Sequence, residues 1–356
     1  MTASDDVAAE FGATLRDFLS AYAKPVVPVE GGEHVWSRLC DELGLAGLLV
    51  PEARGGLGLG ATELVAVAAE LGRAVVGGPF VPGAVAAVAA LSVVDSPQAG
   101  DLLDGIAAGR LMPALIQVPL APVRRITGAA VSTAGRGLTL TGEVGPVLAA
   151  PPPCPLLVPI DVGGTPALAL VAPDAPGVTM TPLPSLDLSR PAWRAGFHHS
   201  AATLIAEGDL AAEAIRRAEV ATWIALGAEC LGVAGHALEL TVDHVKTRHQ
   251  FGRPIGAFQA VQHQLADLTV TLEVARSAAE YVTRCAGDER SAHTLAVKAS
   301  EAAVTITTEA IQLHGGIGFT WEYPAHVLLR RAHSAAVLAG TPDQHRRALF
   351  ALVDER

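Results

Sequence analysis

The sequence predicts an α+β protein of three domains: an α-helical domain over 1–111, a middle antiparallel β-domain over 112–208, and a C-terminal helical bundle of four-helix type over 209–356. Three observations predict it. Apolar residues recur at helical spacing through both ends of the chain. In the middle, prolines and glycines crowd in around short alternating runs. Only 4% of the residues are aromatic while half are hydrophobic, so the core has to be built from Ala, Val and Leu, whose small side chains let helices pack closely. A chain of 356 residues is long enough for two or three such cores.

Composition excludes several functions. The net charge is −11 with no run of like charges, so no basic patch marks a nucleic-acid or anionic-membrane surface. The acidic start Met-Thr-Ala-Ser-Asp-Asp does not fit a signal peptide. No uninterrupted apolar run reaches the ~18 residues of a membrane span. Charged residues are 17%, low for a soluble chain, which points to extensive subunit contact. Cys40, Cys154, Cys230 and Cys285 lie far apart without a C-x-x-C pair, as expected of buried thiols in a cytoplasmic protein. None of the twelve histidines falls in H-E-x-x-H, and His198-His199 is adjacent, so no metal site is expected.

In chain order, Ser4 can N-cap a first helix with Asp5 and Asp6 at its start and a stripe of Val7, Phe11, Leu15, Phe18 and Tyr22. A second helix carries Val35, Leu39 and Leu43 and ends at Gly44. The glycine-rich stretch up to Gly60 does not sit between a strand and a helix, so it reads as a connector and not a phosphate loop. Helices resume at Thr62–Val75, Ala84–Leu91 and Gln98–Ala108. In the middle domain Leu138–Thr141 and Ala167–Val171 are strand-like, and Pro151–Pro155 cannot lie inside a central strand. Long helical segments follow at about 213–249, 257–287 and 290–313, and their short connections imply antiparallel neighbours.

The chain is organised around Arg248–Asp267. A helix with Leu238, Val242 and Val245 on one stripe stops near Gly252-Arg-Pro254, and a second starts at about Ala257 with Phe258, Val261, Leu265 and Leu268. Arg248, an exposed aromatic at Phe251 and the amide of Gln259 thus stand at the mouth of a helical hairpin. That combination suits a large anionic, ring-bearing ligand such as a dinucleotide. From spacing alone, a helix turn with a solvated arginine and a core phenylalanine is the simpler reading. Further on, Gln312-Leu-His-Gly-Gly-Ile-Gly-Phe ends a helix on a glycine pair, either as a plain C-cap or to let bare backbone approach a ligand.

Together these stretches are specific. The domain order, R-x-x-F-G-R-P-I-x-x-F-Q at 248–259 and Q-x-x-G-G-x-G-F at 312–319 resemble the acyl-CoA dehydrogenase family over nearly the whole chain, including the early L-G-L-A-G-L-L-V-P-E and G-G-L-G-L-G segments. The resemblance implies FAD bound across a subunit interface. Arg248 would face its pyrophosphate, with Phe251 and Gln259 beside the cofactor. Gln312 and the Gly315-Gly316 backbone would hold the adenosine-phosphate half. It also implies α,β-dehydrogenation of an acyl-CoA thioester, with an electron-transferring flavoprotein as the usual acceptor.

The chain departs from that family in its own half of the site. Where the family carries a glutamate base in a Y-E-G-T segment, Val337-Leu-Ala-Gly-Thr341 places Ala339. The alternative base position falls on Thr222, followed by Trp223, with Glu219 and Glu229 nearby as displaced candidates or ordinary helix-surface glutamates. The flavin-wrapping segments of the β-domain correspond to Gln117–Pro122 and Gly142–Val147, which lack the expected Thr, Ser and Trp, while Asp187 and Arg190 survive as a local pair. The half donated to a neighbour is intact and the half kept, with its base, is not. No catalytic residue is therefore assigned to this chain. It resembles the small subunits of heterotetrameric α2β2 acyl-CoA dehydrogenases of actinobacterial steroid side-chain degradation. Two alternatives stand beside this reading: a self-sufficient homomeric enzyme with a displaced glutamate, and a flavin-free assembly partner.

Overall fold

The computed structural model describes residues 3–22, 32–116, 130–131, 137–148, 153–338 and 340–354. Within it the chain forms two compact units, one of Met1–Gly32, Ala61–Val76 and Trp223–Arg356, the other of Glu33–Gly60 and Gly77–Thr222.

The first unit is helical. Helix α1 (Ala3–Tyr22) packs on α3 (Ala61–Arg73). Its buried side is Ala8, Gly12, Leu15 and Leu19, whereas Val7 and Tyr22 are about half exposed. Leu15 keeps its expected place, but Val7, Phe11 and Phe18 give way on the buried side to Ala8, Gly12 and Leu19. Small residues win the contact: a Cβ on Gly12 would lie 3.8 Å from that of Ala66, so the two helices meet through Ala and Gly. Arg16 Nε donates to Glu70 at 2.9 Å to fasten the pair.

Helix α6 (Gly208–Thr247) enters this unit at Trp223. A Cβ on Gly232 would lie 1.8 Å from the Ala69 carbonyl oxygen, and one on Gly72 would lie 2.2 Å from that of Glu229. Only glycine on both sides permits this crossing of α3 and α6. An 18-residue window of α6 is apolar enough for a membrane span, but 72% of it is buried within the protein, as in a core helix. Helices α7 (Gln259–Arg284), α8 (Glu289–His314), α9 (Ala325–Leu338) and α10 (Pro342–Asp354) complete the unit, with α8 packed against the other three. Asp288 caps α8 by accepting from the Ser291 N–H at 2.8 Å. Ala292, Ala299 and Ala303 on α8 are fully buried, the close packing that so few aromatics require.

The second unit starts with α2 (Gly32–Leu43), which buries Val35 and Leu39. The glycine-rich loop folds back on the preceding turn: Leu57, Gly58 and Leu59 N–H groups donate to Gly47, Val50 and Leu48 carbonyls at 2.9, 2.8 and 3.0 Å. It is a connector, as expected. The next helix starts at Phe80, not Ala84, as a π-helical stretch Phe80–Ala87 running into α4 (Val88–Leu91). Pro82 reads as a breaker, yet in a first turn its missing N–H has no partner to lose. Helix α5 (Pro97–Ala107) follows, with Ser96 as N-cap and Pro97 at its first position.

The sheet of this unit comprises β1 (Ala114–Leu115), β2 (Ala130–Val131), β3 (Gly137–Leu148), β4 (Leu156–Val162), β5 (Thr165–Val171), β6 (Val178–Leu183) and β7 (Ala192–Glu207). Their order is β1-β4-β5-β7-β3-β2, with β6 also paired to β7. Pairing is antiparallel except for β1 with β4, which is parallel. Strand β7 serves as the spine, pairing with β3, β5 and β6 along its length. Residues Leu138, Leu140, Val158, Ala169 and Phe197 fill the sheet's core.

Candidate functional site

Helix α6 ends at Thr247 and gives way to a tight hairpin of β8 (His249–Gln250) and β9 (Arg253–Pro254). Phe251 and Gly252 form its tip with φ of 53° and 79°. Positive φ at both central residues is the geometry of a type I′ turn. A short 3-10 turn, Ile255–Ala257, then leads to Gln259 as the first residue of α7, two residues later than expected. The break thus folds as a hairpin rather than a simple helix turn. It is closed at its base by the Ile255 N–H donating to the Arg248 carbonyl at 2.8 Å.

This turn holds its aromatic outward. Phe251 is 92% exposed, so the core-phenylalanine alternative falls away. Its ring meets Phe258 edge-on at 6.2 Å, and the Arg253 guanidinium lies 4.1 Å over the Phe258 ring. Arg248 is exposed and has no carboxylate partner among the described residues. Gln259 is exposed beside them.

The second motif closes α8. Gly315 is its C-cap, with φ of 61°, and its N–H is spent on the Ile311 and Gln312 carbonyls. Cβ atoms built on Gly315 and Gly316 would meet nothing within 4 Å. What the pair offers a ligand is therefore open, side-chain-free backbone. Gln312 is exposed on the last turn of α8.

Three links bring the two motifs to one end of the bundle. The hairpin ties the end of α6 to the start of α7. Gln264 on α7 donates to the Glu309 carboxylate on α8. His244, one turn before Arg248, stacks on His314 with ring centroids 4.4 Å apart. Arg248, Phe251, Gln259, Gln312, Gly315 and Gly316 accordingly share that end. Sequence spacing did not show the stack, because His244 and His314 lie seventy residues apart and belong to no motif.

The remaining sequence expectations fare differently. Ala339 and Gln117–Pro122 lie outside the described residues, as do Pro151 and Pro152. Gly142–Val147 lies in β3, paired to β7 with a register shift between Val144 and Val147. Thr222 is buried. Glu229 is no helix-surface glutamate: it is buried on α6 with its carboxylate 3.3 Å from the buried Arg331 guanidinium, which also donates to the Val76 carbonyl at 3.0 Å. Glu219 is half-buried. Asp187 and Arg190 are buried rather than on the surface, and the Ser189 N–H donates to Asp187 at 3.0 Å. Among the described residues no group of three or more His, Cys, Asp or Glu could hold a metal ion.

Two family models, "Acyl-CoA dehydrogenase, N-terminal domain" and "Acyl-CoA dehydrogenase, C-terminal domain", match residues 6–109 and 221–351. The chain belongs to the acyl-CoA dehydrogenase family, oxidoreductases that act on acyl-CoA and whose members bind FAD. It is 33% identical over 319 residues to acyl-CoA dehydrogenase IpdE2 of Mycobacterium tuberculosis, covering 89% of this chain and 86% of that protein. It is 35% identical over 320 residues to acyl-CoA dehydrogenase FadE34 of the same organism, covering 87% of this chain and 41% of that one. Among solved structures, the Tcur3481-Tcur3483 steroid ACAD G363A variant superposes with a TM-score of 0.88 at 28% identity, over 99% of both chains.

Proposed function

We propose that this chain is a cytoplasmic subunit of an FAD-dependent acyl-CoA dehydrogenase and donates half of the flavin site to a homologous partner that carries the base. The observation that carries the reading is the gathering of an uncommitted arginine, an outward aromatic and an open glycine backbone at one end of the bundle. That donor set fits the group. Arg248 pairs with a pyrophosphate through its planar fork, Phe251 lies along the cofactor, and Gly315-Gly316 lets the phosphates approach the backbone. Bound FAD supplies the hydride acceptor for oxidation of the acyl thioester. The partner supplies the carboxylate that takes the α-proton and the donors that stabilise the thioester oxygen.

Two sequence facts support the division of labour. Ala339 occupies the position of the family's C-terminal glutamate, and Thr222 that of its alternative. Glu229, the buried candidate for a displaced base, is taken up by its ion pair with Arg331. The likeness to a two-chain steroid ACAD favours an α2β2 heteromer acting on CoA thioesters of bulky steroid side chains, with an electron-transferring flavoprotein as acceptor.

The test is the visible spectrum of the chain purified alone and then co-expressed with a homologous acyl-CoA dehydrogenase chain that carries the glutamate. A colourless single chain that yields flavin absorbance and acyl-CoA oxidation only with its partner is the expected result. Flavin and turnover from the single chain would overturn the half-site reading in favour of a homomeric enzyme. In the mixed complex, Arg248→Ala lowers flavin content at least tenfold; unchanged content would remove Arg248 from the site.

A further inference from the structure

His314 has no part in the motif chemistry, yet it sits between Gln312 and the glycine pair and is 6% exposed. Its Nδ1 lies 2.6 Å from the Ala310 carbonyl oxygen, which makes Nδ1 the N–H donor and leaves Nε2 an acceptor. The ring is also set against the Leu240 carbonyl of α6.

The ring has aromatic company. It stacks on His244 of α6 at 4.4 Å and meets Tyr323 at a tilt, with ring centroids 4.6 Å apart, while His244 and Tyr323 meet edge-on at 6.3 Å to close the cluster. The Tyr323 hydroxyl donates to the Leu240 carbonyl of α6 at 3.4 Å. The loop after Gly315 folds back on the same spot, so that a Cβ on Gly318 would lie 3.1 Å from His314 Cβ. On the α6 side, the Arg248 N–H donates to the His244 carbonyl at 2.8 Å. The stack therefore fixes the backbone of Arg248 on one flank and that of Gly315-Gly316 on the other.

We propose that His314, stacked on His244 and in contact with Tyr323, is a positioning residue that sets the spacing between Arg248 and the Gly315-Gly316 backbone, and so the affinity of the half-site for the FAD phosphates. This rests on the flavin half-site reading above. His314 is buried, so it would act through Arg248 and the glycine loop. Two ends of helices held to within a few tenths of an ångström can grip a diphosphate, whereas the same groups on loosely joined ends pay for ordering when the ligand binds.

The experiment compares Arg248→Ala, His314→Ala, His314→Phe and His244→Ala in the complex with the partner chain. FAD affinity is read from flavin fluorescence on titration into the stripped complex, assembly from its size, and thermal midpoints with and without FAD. His314→Ala is expected to weaken FAD about tenfold with assembly intact, and His314→Phe, which keeps the stack, to restore it. His244→Ala removes the opposite ring from a half-buried position and weakens FAD in the same sense, should His314→Ala assemble poorly. A merely structural role would lower the midpoints with and without FAD equally; positioning shrinks the gap between them. Wild-type affinity in both His→Ala variants, with Arg248→Ala impaired, overturns the inference alone. Wild-type affinity in Arg248→Ala as well overturns the half-site itself.

Discussion

Phe251 is a residue in the wrong place by every local rule. A type I′ tip favours Asn or Gly at its first position, and a bulky side chain at φ of 53° costs on the order of 1 kcal/mol or more. Its ring also gains nothing from burial, being 92% exposed. On the half-site reading proposed above, its ring serves a contact outside the chain. Phe251→Gly relaxes the turn, so the thermal midpoint should hold or rise by a degree or two, while flavin retention by the complex falls. A fall in both would show instead that the ring holds the hairpin together. Glu229 makes the opposite case. Breaking its buried pair with Arg331 by Glu229→Gln leaves a guanidinium uncompensated and should cost about 3 kcal/mol. Combining Arg331→Met with Glu229→Met should recover most of that in denaturant unfolding, because two apolar groups replace two charges. A double variant no more stable than the single would mean the pair is not the reason Glu229 is there.

Among the elements, α10 has the most revealing attachment. Thr341 and Gln344 cap it reciprocally, the Thr341 N–H donating to Gln344 Oε1 at 2.8 Å. Its docking on α8 is a buried imidazole pair, His345 Nδ1 lying 2.8 Å from His293 Nδ1 with Trp223 of α6 stacked on His293 at 4.2 Å. The charged groups nearby are Glu289, 3.8 Å from His293 Nε2, and Arg346, which is taken by Glu301 and Asp343. Burial pushes both imidazoles down from 6.5 to about 4, His293 adding to the effect at His345. The unfolded chain therefore binds more protons between those values, so this stability is complete above about pH 6.5 and is lost as pH falls through about 4. Amide exchange in α10, corrected for intrinsic rates, should accelerate between pH 7 and pH 5, and His345→Gln should flatten that dependence. Exchange independent of pH in the native protein would rule the pair out as the clasp. No part of this clasp was legible in the sequence, since His293 and His345 belong to no pattern. The same limit explains the shifted α1 stripe and the unforeseen spine β7, where His198, His199 and Gly196 interrupt any alternation. What was legible is local and periodic: α2, α3, α5, the long C-terminal helices, and the two motifs whose glycines and prolines announce a break. The hairpin at 249–254 was visible as a break but not as strands, because two residues a side carry no periodicity.

At the scale of the whole molecule, a chain with 17% charged residues and 4% aromatic builds its cores from alanine at helix crossings, and those crossings leave no slack. Gly232→Ala would set a methyl carbon on the Ala69 carbonyl; the expected loss is about 3 kcal/mol, the upper range for overpacking. The exposed end of the bundle is built the other way, with the Arg248 and Phe251 side chains and the Gly315-Gly316 backbone turned outward. A surface so arranged gains its stabilisation only when something binds it, and binding raises stability by about 2.7 kcal/mol at a hundredfold excess over Kd. Adding FAD to this chain alone should therefore leave its thermal midpoint where it is, while adding FAD to the stripped complex should raise a single shared transition. If the lone chain is stabilised by FAD in the same concentration range, it holds both halves of the site, and the homomeric reading replaces the one argued for here.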